Sequence, residues 1–137
     1  KRGERDWVLF LRKNGLSARR GVQFSGSADS PDVICDDLAF IHFEVKFAKI
    51  VSIEKAITQA MTDCPTGKLR VVAYKIAEKG SKNKWQCAMP LDDFVEVFVK
   101  VHNTCSVLIS FDGHHIVSVP ADDWVFMIKK YKEIVCS

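Results

Sequence analysis

The chain has 137 residues, 47% of them hydrophobic and 27% charged, with a formal net charge of +3. This balance suits one globular domain that buries its own core, and it excludes a low-complexity or disordered chain. No apolar run approaches the roughly 18 residues that cross a bilayer, no signal-peptide pattern opens the sequence, and the charge alone is too small to argue for a polyanionic partner. The five cysteines (Cys35, Cys64, Cys87, Cys105 and Cys136) are scattered, without a CxxC pair. They are expected to be reduced core thiols of a cytosolic protein rather than a disulfide or zinc framework. The sequence opens on Lys1 rather than Met, which leaves room for a short preceding arm.

Residues 3–14 predict a helix: Trp7, Val8 and Leu11 share an apolar face, Glu4 stands in the first turn, Arg12-Lys13 in the last, and Gly15 caps the end. A strand over 18–24 follows, then the turn-forming run SGSADSP (25–31), a short strand over 32–35, a tight turn at Asp36-Asp37, and a long apolar strand over 38–47. Ser52 caps a second helix reaching residue 62, with Ile53, Ala56, Ile57, Ala60 and Met61 as its buried stripe, and 69–77 is a further strand. The order αβββαβ predicts an α/β or α+β architecture, a mixed sheet with helices against it. In the remainder, WQCAMPLDDFVEVF (85–98) and HIVSVPADDWVFMI (115–128) form a weak repeat of strand, Pro, Asp-Asp, aromatic and helix. Asp92, Asp93, Asp122 and Asp123 fall at helix starts, where unpaired N–H groups and the helix dipole favour carboxylates. Asp112-Gly113 predicts a hairpin turn. No linker divides the chain, so a single domain is expected, with a core over about 1–77 and a C-terminal extension over about 84–137.

Chemistry concentrates in Ser30–Lys46, SPDVICDDLAFIHFEVK. Asp32 follows a proline, and Glu44 and Lys46, two positions apart in a strand, project from one face. Two carboxylates can fix a hard cation such as Mg²⁺, which neutralises a phosphate and acidifies water, and a lysine can orient the nucleophile or stabilise transition-state charge. Glu4 is the candidate third carboxylate. The competing view makes Glu44 and Lys46 an ion-pair ladder on a solvent-facing edge strand.

A helix bearing Glu4, a strand, an SGS loop, Pro31-Asp32, a strand with Glu44-Val45-Lys46, a helix and a strand resemble, in that order, the PD-(D/E)xK nuclease superfamily. Within it the likeness is to archaeal-type Holliday-junction resolvases and related phage nucleases, over roughly residues 1–77. The resemblance implies that Glu4, Asp32, Glu44 and the Val45 carbonyl hold Mg²⁺, with Mn²⁺ as a possible substitute, and that Lys46 is the catalytic lysine. It implies that Ser25, Gly26 and Ser27 approach the scissile phosphate, that Gln59 lies near the site, and that the protein is a homodimer acting on branched DNA. Arg12, Lys13, Arg19, Arg20 and Lys49 are placed to contact phosphates, which would give affinity without base readout.

Other sites are weaker. Asp112, His114 and His115 flank a turn, but adjacent strand residues point to opposite faces and do not easily share an ion. His42 and His102 read as isolated, satisfied residues. No nucleotide-binding glycine motif, GxSxG or HExxH is present. The expected function is a Mg²⁺-dependent, structure-selective DNA endonuclease, foremost a junction resolvase. The alternatives are a flap, nick or general nuclease of the same kind, and a non-catalytic nucleic-acid-binding module.

Overall fold

The computed structural model describes residues 2–21, 31–64, 67–77, 84–103, 110–111 and 115–136. In chain order the elements are α1 (Arg2–Lys13), β1 (Arg19–Arg20), β2 (Val33–Ile34), a 3-10 turn (Asp36–Leu38), β3 (Ile41–Ala48), α2 (Ile53–Asp63) and β4 (Leu69–Ile76). They continue with β5 (Gln86–Pro90), α3 (Leu91–Val101), β6 (Ser110–Phe111), β7 (Ile116–Pro120) and α4 (Ala121–Val135). The αβββαβ order expected for the first half is present, and the architecture is α+β around a mixed sheet.

The sheet has seven strands in the order β1-β2-β3-β4-β5-β7-β6. Among the described strands only β3 and β4 run parallel, paired from Ile41↔Leu69 to Ala48↔Ile76, and α2 is the crossover that parallel pairing requires. The other pairs are antiparallel. Strand periodicity sorts the side chains into two layers. Ile41, Phe43, Val45, Val71, Ala73, Cys87, Met89, Val117 and Val119 join α1, α3 and α4 in the larger core. Val72, Ala88 and Ile116 meet Ala56, Ile57 and Ala60 of α2 on the opposite face. The sheet is therefore sandwiched between three helices and one.

The helix signals read as expected. Gly15 ends α1 at φ 82°, the left-handed conformation a C-terminal cap requires, and its N–H donates to the Arg12 carbonyl. Ser52 Oγ accepts the Lys55 N–H at 3.4 Å at the start of α2. Both halves of the repeat form strand-helix units, with Asp92 and Asp93 in the first turn of α3 and Asp122 and Asp123 in that of α4. Asp93 does more than favour the dipole: its carboxylate takes the Arg70 backbone N–H at 2.8 Å and two guanidinium bonds, tying α3 to β4.

Three expectations change. The strand after α1 is short, covering Arg19–Arg20, and the rest of its expected span lies among residues 22–30, outside those described. Met61, placed in the buried stripe of α2, is 50% exposed because it lies beyond the edge of the small apolar layer. Cys35 and Cys87 are buried thiols, whereas Cys136, after the last turn of α4, is exposed. The Asp112-Gly113 turn lies outside the described residues, although β6 and β7 do pair antiparallel.

Candidate active site

β3 is an internal strand, bonded to β2 on one side and β4 on the other. Glu44 is 3% exposed, so the solvent-facing edge ladder does not describe this pair. Glu44 and Lys46 share the α2 face, as their spacing predicts, yet they do not bond one another. Lys46 Nζ donates to Gln59 Oε1 on α2 at 3.1 Å, which brings in the glutamine that the resemblance placed near the site. On the other side of Glu44, His42 is 1% exposed with Nε2 3.2 Å from Glu44 Oε1, the position of a ring N–H donating to a carboxylate. His42 is thus satisfied, as expected, but not isolated. The available signal was the same period of two that linked Glu44 to Lys46.

Asp32 sits where β2 leaves β3. Its N–H donates to the Phe43 carbonyl at 3.0 Å, its carbonyl accepts the Gly21 N–H at 2.9 Å, and its carboxylate Oδ2 accepts the Val45 N–H at 2.8 Å. The side chain thereby occupies the ladder position that a continuing β2 would have filled. Gly21 is required for this approach, since a Cβ there would overlap the Pro31 carbonyl. The Asp32 carboxyl is raised to about 6, above all by burial, with the charge of Glu44, a hydrogen bond to it and the charge of Glu4 adding to the rise against the lowering effect of the Val45 N–H. Asp32 and Glu44 are therefore a crowded carboxylate pair with Glu4 in electrostatic reach.

Glu4 reaches this corner because α1 packs closely on β3. A Cβ added at Gly3 would lie 2.6 Å from the Phe47 Cβ, so only glycine lets the first turn come this near. Glu4 Oε1 accepts from Arg20 Nε at 3.3 Å. Among the described residues no three acidic, His or Cys side chains are gathered tightly enough to make a metal site by themselves.

The donor set nevertheless fits a hard cation of the Mg²⁺ type, which commonly takes one or two carboxylates and keeps its remaining positions for water and phosphate. Asp32 and Glu44 supply the carboxylates. In an extended strand a residue's C=O points to the same edge as its N–H, so the Val45 carbonyl faces Asp32 as well. Part of the rise in Asp32 comes from the charges of Glu44 and Glu4, and that part a cation would relieve.

Beyond Val45 the same edge of β3 carries no partner strand among the described residues. A cavity of about 450 Å³ lies there between α1 and α2, with Arg2, Glu4, Lys46, Ile50, Lys55 and Gln59 in its wall.

The remaining expected contacts are placed as follows. Arg12 Nε donates to the Ala18 carbonyl, Arg19 pairs with Asp36, and Arg20 with Glu4. Arg12 and Arg19 thus brace the α1-β1 corner, while Arg20 faces the candidate site. Lys13 and Lys49 are exposed. Ser25, Gly26 and Ser27 lie outside the described residues, as do Asp112 and His114. Asp36 and Asp37 form the turn between β2 and β3, where Asp37 accepts the Ser17 N–H at 2.8 Å.

Compared with models of known protein families the chain matches none, and no curated protein sequence matches it.

Proposed function

We propose that the protein is a metal-dependent endonuclease that hydrolyses phosphodiester bonds of branched DNA, foremost at four-way junctions. The observation that carries this reading is the crowded Asp32–Glu44 pair with Lys46 on the same face of an internal strand, beside an open cavity. Placing two carboxylates together in a partly buried corner is costly, and a bound cation would offset that cost. Asp32, Glu44 and the Val45 carbonyl would hold Mg²⁺ or Mn²⁺, with Glu4 adjoining. When bound, such an ion supplies charge neutralisation at the phosphate and a more acidic water. His42 fixes the Glu44 carboxylate and Gln59 fixes the Lys46 ammonium. Lys46 then offers a positive charge to the phosphate as negative charge accumulates in the transition state. Arg20, Lys13 and Lys49 add phosphate contacts that bind without reading sequence.

A resolvase cuts two strands symmetrically and so works as a dimer. Val95, Phe98 and Val99, on the exposed side of α3, provide apolar surface for such pairing. The test is incubation with four-way, flap and linear DNA in Mg²⁺, alongside Asp32→Ala and Lys46→Ala. Paired nicks on the four-way substrate that vanish in both variants are expected, and equal cutting of linear DNA would remove the junction preference. A second reading, a module that binds nucleic acid without cutting, draws on the partners that Glu44 and Lys46 already have in His42 and Gln59. Tight binding with no cutting in Mg²⁺ or Mn²⁺ would select it.

A further inference from the structure

The turn between β3 and α2 presents an isoleucine to water. Ile50 is 88% exposed, more than any other large apolar side chain described, and it stands on the lip of the cavity beside Lys46. A single exposed isoleucine is unremarkable on most surfaces; its surroundings set this one apart. Arg2, Lys46, Lys49 and Lys55 stand around it or in the cavity wall, and none of the four forms an ion pair among the described residues. Arg2 is held over the Phe47 ring at 5.2 Å, so its guanidinium is stationed at the mouth. The cavity thus has an apolar side chain at its lip, cationic side chains in and beside its wall with Glu4 as the acidic member of the lining, and it lies close to the candidate cleavage site. An unstacked nucleotide has that chemistry: a flat apolar base joined to an anionic phosphate. The cavity volume, about 450 Å³, is sufficient for one nucleotide.

We propose that this cavity receives an unpaired nucleotide next to the scissile phosphodiester, and that Ile50 is the wedge that takes the place of the base leaving the stack. Apolar wedges at nucleic-acid surfaces act in this way, replacing lost stacking as a base step opens. The inference rests on the DNA reading above and adds a source of selectivity to it. A branch point, nick or flap offers a nucleotide that is already partly unstacked, whereas continuous duplex must first be opened.

The experiment places 2-aminopurine at the branch nucleotide of a flap substrate and follows its fluorescence as protein is added, with Ca²⁺ replacing Mg²⁺ to hold back cleavage. The intact protein is expected to raise the signal severalfold. Ile50→Ala should reduce that rise by more than half and lower the preference for branched over linear DNA about tenfold, while Ile50→Phe should retain both. Because Ile50 is exposed, these substitutions leave the core untouched. Lys55→Ala should weaken binding and flatten its salt dependence with the rise retained at saturation. No rise with the intact protein, or an unchanged rise with Ile50→Ala, overturns the wedge. A protein that raises the signal but cuts nothing in Mg²⁺ or Mn²⁺ loses the nuclease reading and keeps this one. A protein that cuts branched DNA equally well with and without Ile50, with the same signal, loses this one and keeps the nuclease.

Discussion

Ionising Asp32 in the folded chain works against its burial and the neighbouring acids, which is why its carboxyl is raised to about 6 from an ordinary 3.8. The folded state therefore holds the proton more tightly than the unfolded state. The resulting destabilisation is absent below the unfolded value, grows between about 4 and 6, and is complete above that window. Asp32→Asn keeps an oxygen for the Val45 N–H but removes the charge. It should stabilise the metal-free protein by on the order of 1–2 kcal/mol at pH 8, after allowance for solvent screening, and by nothing at pH 3.5. Thermal melts at the two pH values check this. Added Mg²⁺ should raise the melting temperature of the parent at pH 8 and leave Asp32→Asn unmoved. At Glu44 the argument runs through His42: His42→Ala leaves a buried carboxylate without its ring partner and should cost about 1–3 kcal/mol in a denaturant titration. His42→Gln, which can still donate, should recover part of that loss.

At the scale of elements, the site depends on how closely α1 lies on β3. Gly3→Ala would ordinarily favour a helix by up to about 1 kcal/mol. Here the new methyl meets Phe47, so the helix must shift and carry Glu4 with it. The substitution is expected to destabilise the protein and to lower cleavage more than tenfold; the overlap is with the Phe47 Cβ, which alanine keeps, so Phe47→Gly in the same chain should restore part of both where Phe47→Ala does not. A double-mutant cycle of melting temperature and cleavage rate measures that coupling. This close approach was not legible in the sequence, where Gly3 read only as the first residue of a predicted helix. Legibility followed locality. Gly15, Ser52 and the two Asp-Asp helix starts each carry their signal within a turn, and the elements formed as read, although the N-caps of α3 and α4 are Pro90 and Pro120 without a side-chain cap bond and Asp93 binds Arg70 instead. The Glu44/Lys46 face followed from strand period alone. The His42–Glu44 contact was equally local and went unread because nothing marked Glu44 as buried. The Asp32–Val45 bond, the open edge of β3 and the Ile50 lip depend on where β2 departs, which tertiary structure decides.

On the scale of the molecule, the C-terminal half is the support on which the candidate site is built, although no candidate catalytic residue lies in it. Trp7, one turn along α1 from Glu4, packs at 5.2 Å from the Trp85 ring and 6.4 Å from the Trp124 ring, and Trp124 meets Phe43 of β3 edge-on at 5.7 Å. The strand carrying Glu44 and Lys46 and the helix carrying Glu4 therefore share one aromatic cluster with β5 and α4. Without residues 84–137, β4 would present Val71, Val72 and Ala73 along a bare edge, and Trp7 and Phe43 would lose most of their cover. A chain ending at residue 83 is expected to remain unfolded by circular dichroism, which distinguishes a supporting half from a dispensable extension. Trp124→Ala in the full chain tests the same dependence more gently. It opens a cavity beneath β3 and should cost about 3–5 kcal/mol. Its cleavage rate should fall in proportion to the folded fraction and recover on cooling to a temperature at which the variant is folded, whereas Lys46→Ala should fold like the parent and stay inactive at every temperature. A Trp124→Ala protein that is folded yet inactive would mean that the aromatic cluster sets the geometry of the site as well as its stability.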